Sequence, residues 1–166
     1  AYPPSSLDAF EFLPGVAHAI EELKQAGFIL IVVTNQPDVA TGIQKREVVE
    51  TMHARVKSEL SVDDIKVCYH VDQDACLCRK PKPGMLLASA VENDLNLAGS
   101  FMVGDRWRDI AAGKAAGCNT ILIEHQYDER QAEDPDCVVD SLPEASQWIL
   151  AQDSRGVNEA CRISGT

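Results

Sequence analysis

No stretch of this 166-residue chain approaches the roughly 18 consecutive apolar residues of a membrane-spanning helix. Its opening, Ala1-Tyr2-Pro3-Pro4, has neither the basic region nor the apolar stretch of a secretion signal. Internal repeats and low-complexity tracts are missing as well. Positive charge is scarce: 15 Lys and Arg stand against 26 Asp and Glu, for a net charge of −11. That balance argues against non-specific binding to nucleic acid or anionic membranes. It leaves room for a local cationic pocket that holds an anion. These absences predict a cytoplasmic protein without nucleic-acid or membrane partners.

What is present is ordinary for a globular chain: 45% apolar and 25% charged residues. The length suits one domain, and such a domain buries roughly 70% of its unfolded surface. Residues 1–13 read as an irregular lead-in with a short extended piece over 8–13. A helix is predicted from Gly15 to Gln25, with Val16, Ile20 and Leu23 on one face and Gly27 as its stop. The continuous apolar run Phe28–Val33 reads as a parallel strand covered on both faces. Helix over 45–60, strand over 65–69 and helix from Pro81-Lys82-Pro83-Gly84 follow, the last with Leu87, Val91 and Leu95 turned inward. Strand over 101–103, helix over 109–116 closed by Gly117, strand over 120–123, edge strand over 137–139 and helix over 142–150 complete the pattern. Alternating strands and helices imply an α/β, three-layer, Rossmann-like fold with a mostly parallel sheet. Ligands in such folds sit beyond the carboxyl ends of the strands, which directs attention to Thr34, Asn35, Asp105 and Arg106.

Six cysteines could form three disulfides, but Cys68, Cys76 and Cys78 crowd into eleven residues with His70 among them. Three thiolates and one imidazole form a closed tetrahedral donor set suited to structural zinc, with no position left for a catalytic water. His53 and His125 stand alone and are read as surface or satisfied residues. The metal loop runs straight into Arg79-Lys80-Pro81, so pinning Cys78 also pins the next two side chains.

Three short motifs then stand in order. Thr34-Asn35 at a strand end offers a hydroxyl and an amide to a phosphoryl oxygen. Lys80 before a helix offers an ammonium. Gly104-Asp105, with Asp109 four residues on, offers carboxylates suited to Mg²⁺. Each alone is weak; Asp109 by itself is equally a helix-start carboxylate favoured by the macrodipole.

Carried by Val33-Thr34-Asn35-Gln36, by Cys76-Leu77-Cys78-Arg79-Lys80-Pro81-Lys82-Pro83-Gly84-Met85 and by Phe101-Met102-Val103-Gly104-Asp105, the chain resembles the HAD superfamily of Mg²⁺-dependent phosphohydrolases. It is most similar to the zinc-loop branch that holds heptose-bisphosphate and histidinol-phosphate phosphatases, over about Phe10 to Leu150. The resemblance implies a HAD fold, and the short connections alone suggest that it carries no large cap domain. It implies that Thr34, with Asn35 and Gln36, binds the phosphoryl group, that Lys80 stabilises an aspartyl-phosphate, and that Arg79 and Arg106 contact substrate. It implies Asp105 as the Mg²⁺ ligand with Asp109 behind it, and zinc on Cys68, His70, Cys76 and Cys78. Relatives often carry Lys at the Arg106 position, whose geometry differs.

The family's first motif, Asp-x-Asp-Gly-Thr, supplies the nucleophile and the general acid. It is absent from these 166 residues: Asp63-Asp64 and Asp72-x-Asp74 follow no buried strand. The strand that carries it should lie between the strands at 28–33 and 101–103. Omitting one strand leaves a slot of roughly 10 Å with two rows of unpaired backbone groups. Truncation is therefore expected in preference to a natural pseudoenzyme, and the chain as given is expected to be inactive. The domain is expected to span 1–153, with 154–166 a frayed tail. The expected partner is a small phosphorylated metabolite, and the expected state a monomer. The substrate expected first is D-glycero-D-manno-heptose 1,7-bisphosphate. The second is histidinol phosphate, favoured by the short spacing between His70 and Cys76. The third reading is a catalytically dead, zinc-stabilised phosphate-binding module.

Overall fold

Alternate residues of one short strand serve two different cores, and that division builds the molecule. The computed structural model describes residues 11–153 and the segment 162–165. Strand β1 (Leu30–Asn35) sends Leu30 and Val32 to one face of the sheet and Ile31 and Val33 to the other. β3 (Phe101–Gly104) does the same, with Phe101 and Val103 on the first face and Met102 on the second. The two-residue side-chain period explains the unbroken apolar runs: there is no solvent face.

The first face is covered by α1 (Val16–Gln25), through Ile20 and Leu23, and by α6 (Leu142–Asp153), through Ala145 and Ile149. Phe101 meets Trp148 edge-on there, at 6.0 Å between ring centroids. The second face is covered by α4 (Gly84–Asn93), through Met85 and Leu86, and by α5 (Trp107–Ala116), through Ala112. Helix α2 (Pro37–Ala40) is a single turn after β1 that the apolar spacing does not reveal. Helix α3 (Arg46–Glu59) buries Val49 and Met52. The remaining strands are β2 (Asp64–Cys68), β4 (Asn119–Ile123) and β5 (Cys137–Val139), the last at the sheet edge. No helix among the described residues is long and apolar enough to cross a membrane.

Three expectations need correcting. The first strand runs Leu30–Asn35, not Phe28–Val33, because Thr34 and Asn35 continue the ladder opposite Val67 and Cys68. On α4, Leu87 and Val91 face solvent, at 45% and 85% exposure. The buried stripe is Met85, Leu86 and Ser89, and Ser89 is tolerated there because its hydroxyl donates to the Met85 carbonyl at 2.8 Å. A serine disguised the true apolar face.

The third correction concerns the middle of the sheet. All neighbouring strands are parallel, in the order β2-β1-β6-β3-β4-β5. The slot whose central strand is expected to be missing from the chain holds β6 (Arg162–Gly165), which pairs with Leu30–Val33 on one side and with Phe101–Val103 on the other. Part of the expected frayed tail is thus a central strand, and residues 154–161 and 166 lie outside the described residues. The physical reason is the one that made an open slot untenable: two rows of backbone donors and acceptors demand partners.

Candidate active site

Because the sheet is parallel, the carboxyl ends of β1, β2 and β3 lie along one edge, and the chemically distinctive residues gather there. β2 ends at Cys68, which is fully buried beside Asn35 of β1. His70, a short 3-10 turn over Asp72–Asp74, Cys76 and Cys78 follow. One ligand atom from each of Cys68, His70, Cys76 and Cys78 falls within 4.8 Å of all the others. The sulfur–sulfur separations are 3.2, 3.5 and 3.8 Å. A tetrahedron with metal–sulfur bonds of ~2.3 Å has sulfur–sulfur edges of about 3.8 Å, so the donor set fits a metal ion.

The thiols are electrically unequal. Burial, reinforced by Cys78, pushes Cys68 up to about 12. Burial also opposes the Cys76 thiolate, but the Arg79 backbone N–H and the neighbouring sulfurs outweigh it and bring Cys76 down to about 7. A metal replaces these thiol protons as it binds. The loop rests on α4: Gly84 N–H donates to the Leu77 carbonyl at 3.1 Å, and a Cβ on Gly84 would lie 2.2 Å from that oxygen.

The next link is Asn35. Its Oδ1 accepts from the Lys80 backbone N–H and its Nδ2 donates to the Lys80 carbonyl, both at 3.1 Å. The amide read as a phosphate contact therefore clamps the chain just after the metal loop. It sends the Lys80 side chain inward. Lys80 Nζ donates to the Val33 carbonyl at 2.7 Å and pairs with Asp109 Oδ1 at 2.6 Å. Asp109 Oδ2 accepts from the Arg106 backbone N–H, so one carboxylate holds both the lysine and the first turn of α5. Gly104 makes room for this arrangement, since a Cβ there would lie 2.3 Å from Asp109 Cβ. Thr34 is 2% exposed and accepts from Gln36 Nε2 at 3.2 Å.

The two arginines are held by their own neighbours. Arg79 donates to Asp72 at 2.6 Å and to the His70 carbonyl at 3.2 Å, both within the metal loop. Hydrogen bonding from Arg79 keeps the Asp72 carboxyl below the usual range. Arg106 pairs with Glu129 at 3.1 Å and lies 4.2 Å over the Tyr127 ring. Tyr127 in turn donates its phenol to Asp105 Oδ2 at 2.5 Å. Asp72, Tyr127 and Glu129 are the participants that sequence reasoning missed. Asp72 is visible only as an acid inside the loop, and nothing in the pattern of residues 124–130 marks it as reaching β3.

The chain is similar to known phosphatases. A HAD-hydrolase-like family model matches residues 77–145. A D-glycero-β-D-manno-heptose-1,7-bisphosphate 7-phosphatase of Pseudomonas putida is 36% identical over 133 residues, covering 77% of this chain and 76% of the relative. The Salmonella typhi protein of the same name is 37% identical, covering 87% of this chain and 79% of its own. A crystal structure of a D,D-heptose 1,7-bisphosphate phosphatase from B. bronchiseptica, complexed with magnesium and phosphate, superposes with a TM-score of 0.77 at 31% identity. It covers 89% of this chain and 88% of that one.

Proposed function

The chain belongs to the HAD family of phosphatases, and from that premise we propose that its substrate is D-glycero-D-manno-heptose 1,7-bisphosphate. The observation that carries the reading is the sealed Lys80–Asp109 pair, with Lys80 Nζ brought against the end of β1 beside Thr34. An ammonium held there opposes the charge of a phosphoryl group at the strand ends, in a site screened from water. The names of the relatives supply the sugar.

In this reading Thr34 donates its hydroxyl to a phosphoryl oxygen, and Lys80 neutralises a second. Asp109 acts through Lys80, fixing its direction, and Asn35 fixes the backbone from which Lys80 projects. Gln36 orients Thr34. Arg106 and Arg79 would exchange Glu129 and Asp72 for substrate oxygens. The metal of the Cys68, His70, Cys76 and Cys78 cluster is zinc, because a closed thiolate-imidazole tetrahedron is its preferred structural site. Asp105 fits Mg²⁺: it is a carboxylate at a strand end, and Mg²⁺ is commonly held by one or two carboxylates together with substrate phosphate and water. When bound, Mg²⁺ would shield the phosphoryl charge. Asp109 does not offer the same, since both its oxygens already hold Lys80 and the Arg106 N–H.

Histidinol phosphate is the second reading, favoured by the five residues between His70 and Cys76. Calorimetric titration of the zinc-loaded chain in Mg²⁺ with heptose bisphosphate, histidinol phosphate and an aryl phosphate separates the two. Heptose bisphosphate should bind tightest, and phosphate release by these residues alone should stay at background, since they contain no Asp-x-Asp-Gly-Thr. Tighter binding of histidinol phosphate would replace the first reading with the second. Mg²⁺-dependent turnover would show that the nucleophile has been misplaced.

A further inference from the structure

We propose that Tyr127 is a positioning residue for Asp105, so that the loop over residues 124–130 sets the affinity of the divalent-cation site. The inference rests on the reading of Asp105 as a cation ligand. The only tyrosine of that loop points back to a strand end that is twenty-two residues away in sequence.

The loop leaves β4 with Glu124 N–H bonded to the Val139 carbonyl at 2.8 Å, which anchors its start. It then turns tightly, with Tyr127 N–H donating to the His125 carbonyl at 3.0 Å. The Tyr127 ring is gripped on one face by the Arg106 guanidinium, 4.2 Å from its centroid. The His125 ring stands beside it at 5.7 Å. Arg106 is itself tied to Glu129, at 3.1 Å, so the loop holds the cation that holds the ring. A ring fixed this way has little freedom left in its hydroxyl, which meets Asp105 Oδ2 at 2.5 Å.

A carboxylate on a strand end can swing about its terminal torsion, which is broad for aspartate. A phenol on Oδ2 selects one orientation and directs the other oxygen as a single donor. Mg²⁺ demands near-ideal octahedral geometry and penalises a ligand that wanders or chelates through both oxygens. Outer partners of this kind typically change metal affinity by about 10- to 100-fold. Among the described residues, the side chain that holds the Asp105 carboxylate is Tyr127, from the loop.

The test uses Mn²⁺, which shares the preference for carboxylate and water, titrated by electron paramagnetic resonance into the zinc-loaded full chain. Tyr127→Phe keeps the ring and its contacts with Arg106 and removes one oxygen. It should weaken Mn²⁺ binding by about tenfold or more, with no more than the small fall in melting temperature, measured without Mn²⁺, that the loss of one hydrogen bond brings. Asp105→Asn should abolish the binding. If Asp105→Asn abolishes it and Tyr127→Phe leaves it unchanged, the positioning role is wrong and the cation site stands. If Asp105→Asn changes nothing, the cation site is misassigned and the inference falls with it.

Discussion

Lys80 Nζ and Asp109 Oδ1 lie 2.6 Å apart with side chains only 3% and 4% exposed. Such a pair is costly to break from one side, because the partner left behind is a buried, uncompensated charge. Lys80→Met is expected to cost about 3–5 kcal/mol in urea denaturation. Replacing both residues with apolar ones of similar size should cost less than the two single changes added together. Strict additivity would mean that the two charges do not interact.

Metal removal should act on stability and on phosphate binding at once. The Cys78 ligand is two residues from Lys80, and Arg79 is fastened to the metal loop through Asp72 and the His70 carbonyl. Zinc in a structural site of this type contributes on the order of 10–16 kcal/mol of apparent affinity. A chelator is expected to lower the melting temperature by many degrees and to weaken phosphate binding in the same titration. Because the thiols must lose their protons, zinc affinity should also fall as the pH is lowered. A chelated protein with unchanged fold and unchanged phosphate affinity would count against the coupling.

Gly104→Ala tests the packing behind the lysine. The new methyl would sit 2.3 Å from Asp109 Cβ, and Asp109 cannot yield without releasing Lys80 or the Arg106 N–H. A loss of about 1–3 kcal/mol is expected from the crowding alone. Phosphate affinity should drop with it, whereas a mere packing defect would leave that affinity intact.

Tyr127 offers a pH signature. Burial first, and then its bond to Asp105, push the phenol up to about 12 from its usual value near 10. The folded protein therefore holds this proton more tightly than the unfolded chain. The associated stability is fully present below about pH 10 and is lost as the pH rises toward 12. Relative to Tyr127→Phe, the wild type should lose stability more steeply over that window, followed by thermal melts at stepped pH. Parallel curves for the two proteins would show that the phenol is not so constrained.

How much of this was legible beforehand follows from the range of each interaction. Helices and buried strands were readable because β1 and β3 expose no face, and their apolar runs announce it. The Cys/His cluster was readable because its four members fall within eleven residues of chain. The contacts that direct Lys80 were not. Asn35 reaches it across 45 residues and Asp109 across a whole βα unit, and no local pattern encodes either meeting. The outward turn of Leu87 and Val91 was hidden by the buried Ser89, whose bond to its own helix makes a polar residue behave as a core one. Asp105 was singled out by its place after a strand, but the phenol that bonds it arrives from a loop with no periodicity at all.

Among the described strands, β6 is the sole bridge in the sheet between β2-β1 and β3-β4-β5. It is also the latest of the described strands to be made. Its few residues of backbone ladder set the register of the Thr34 end against the Asp105 end, while α1 and α6 brace the same two halves across one face.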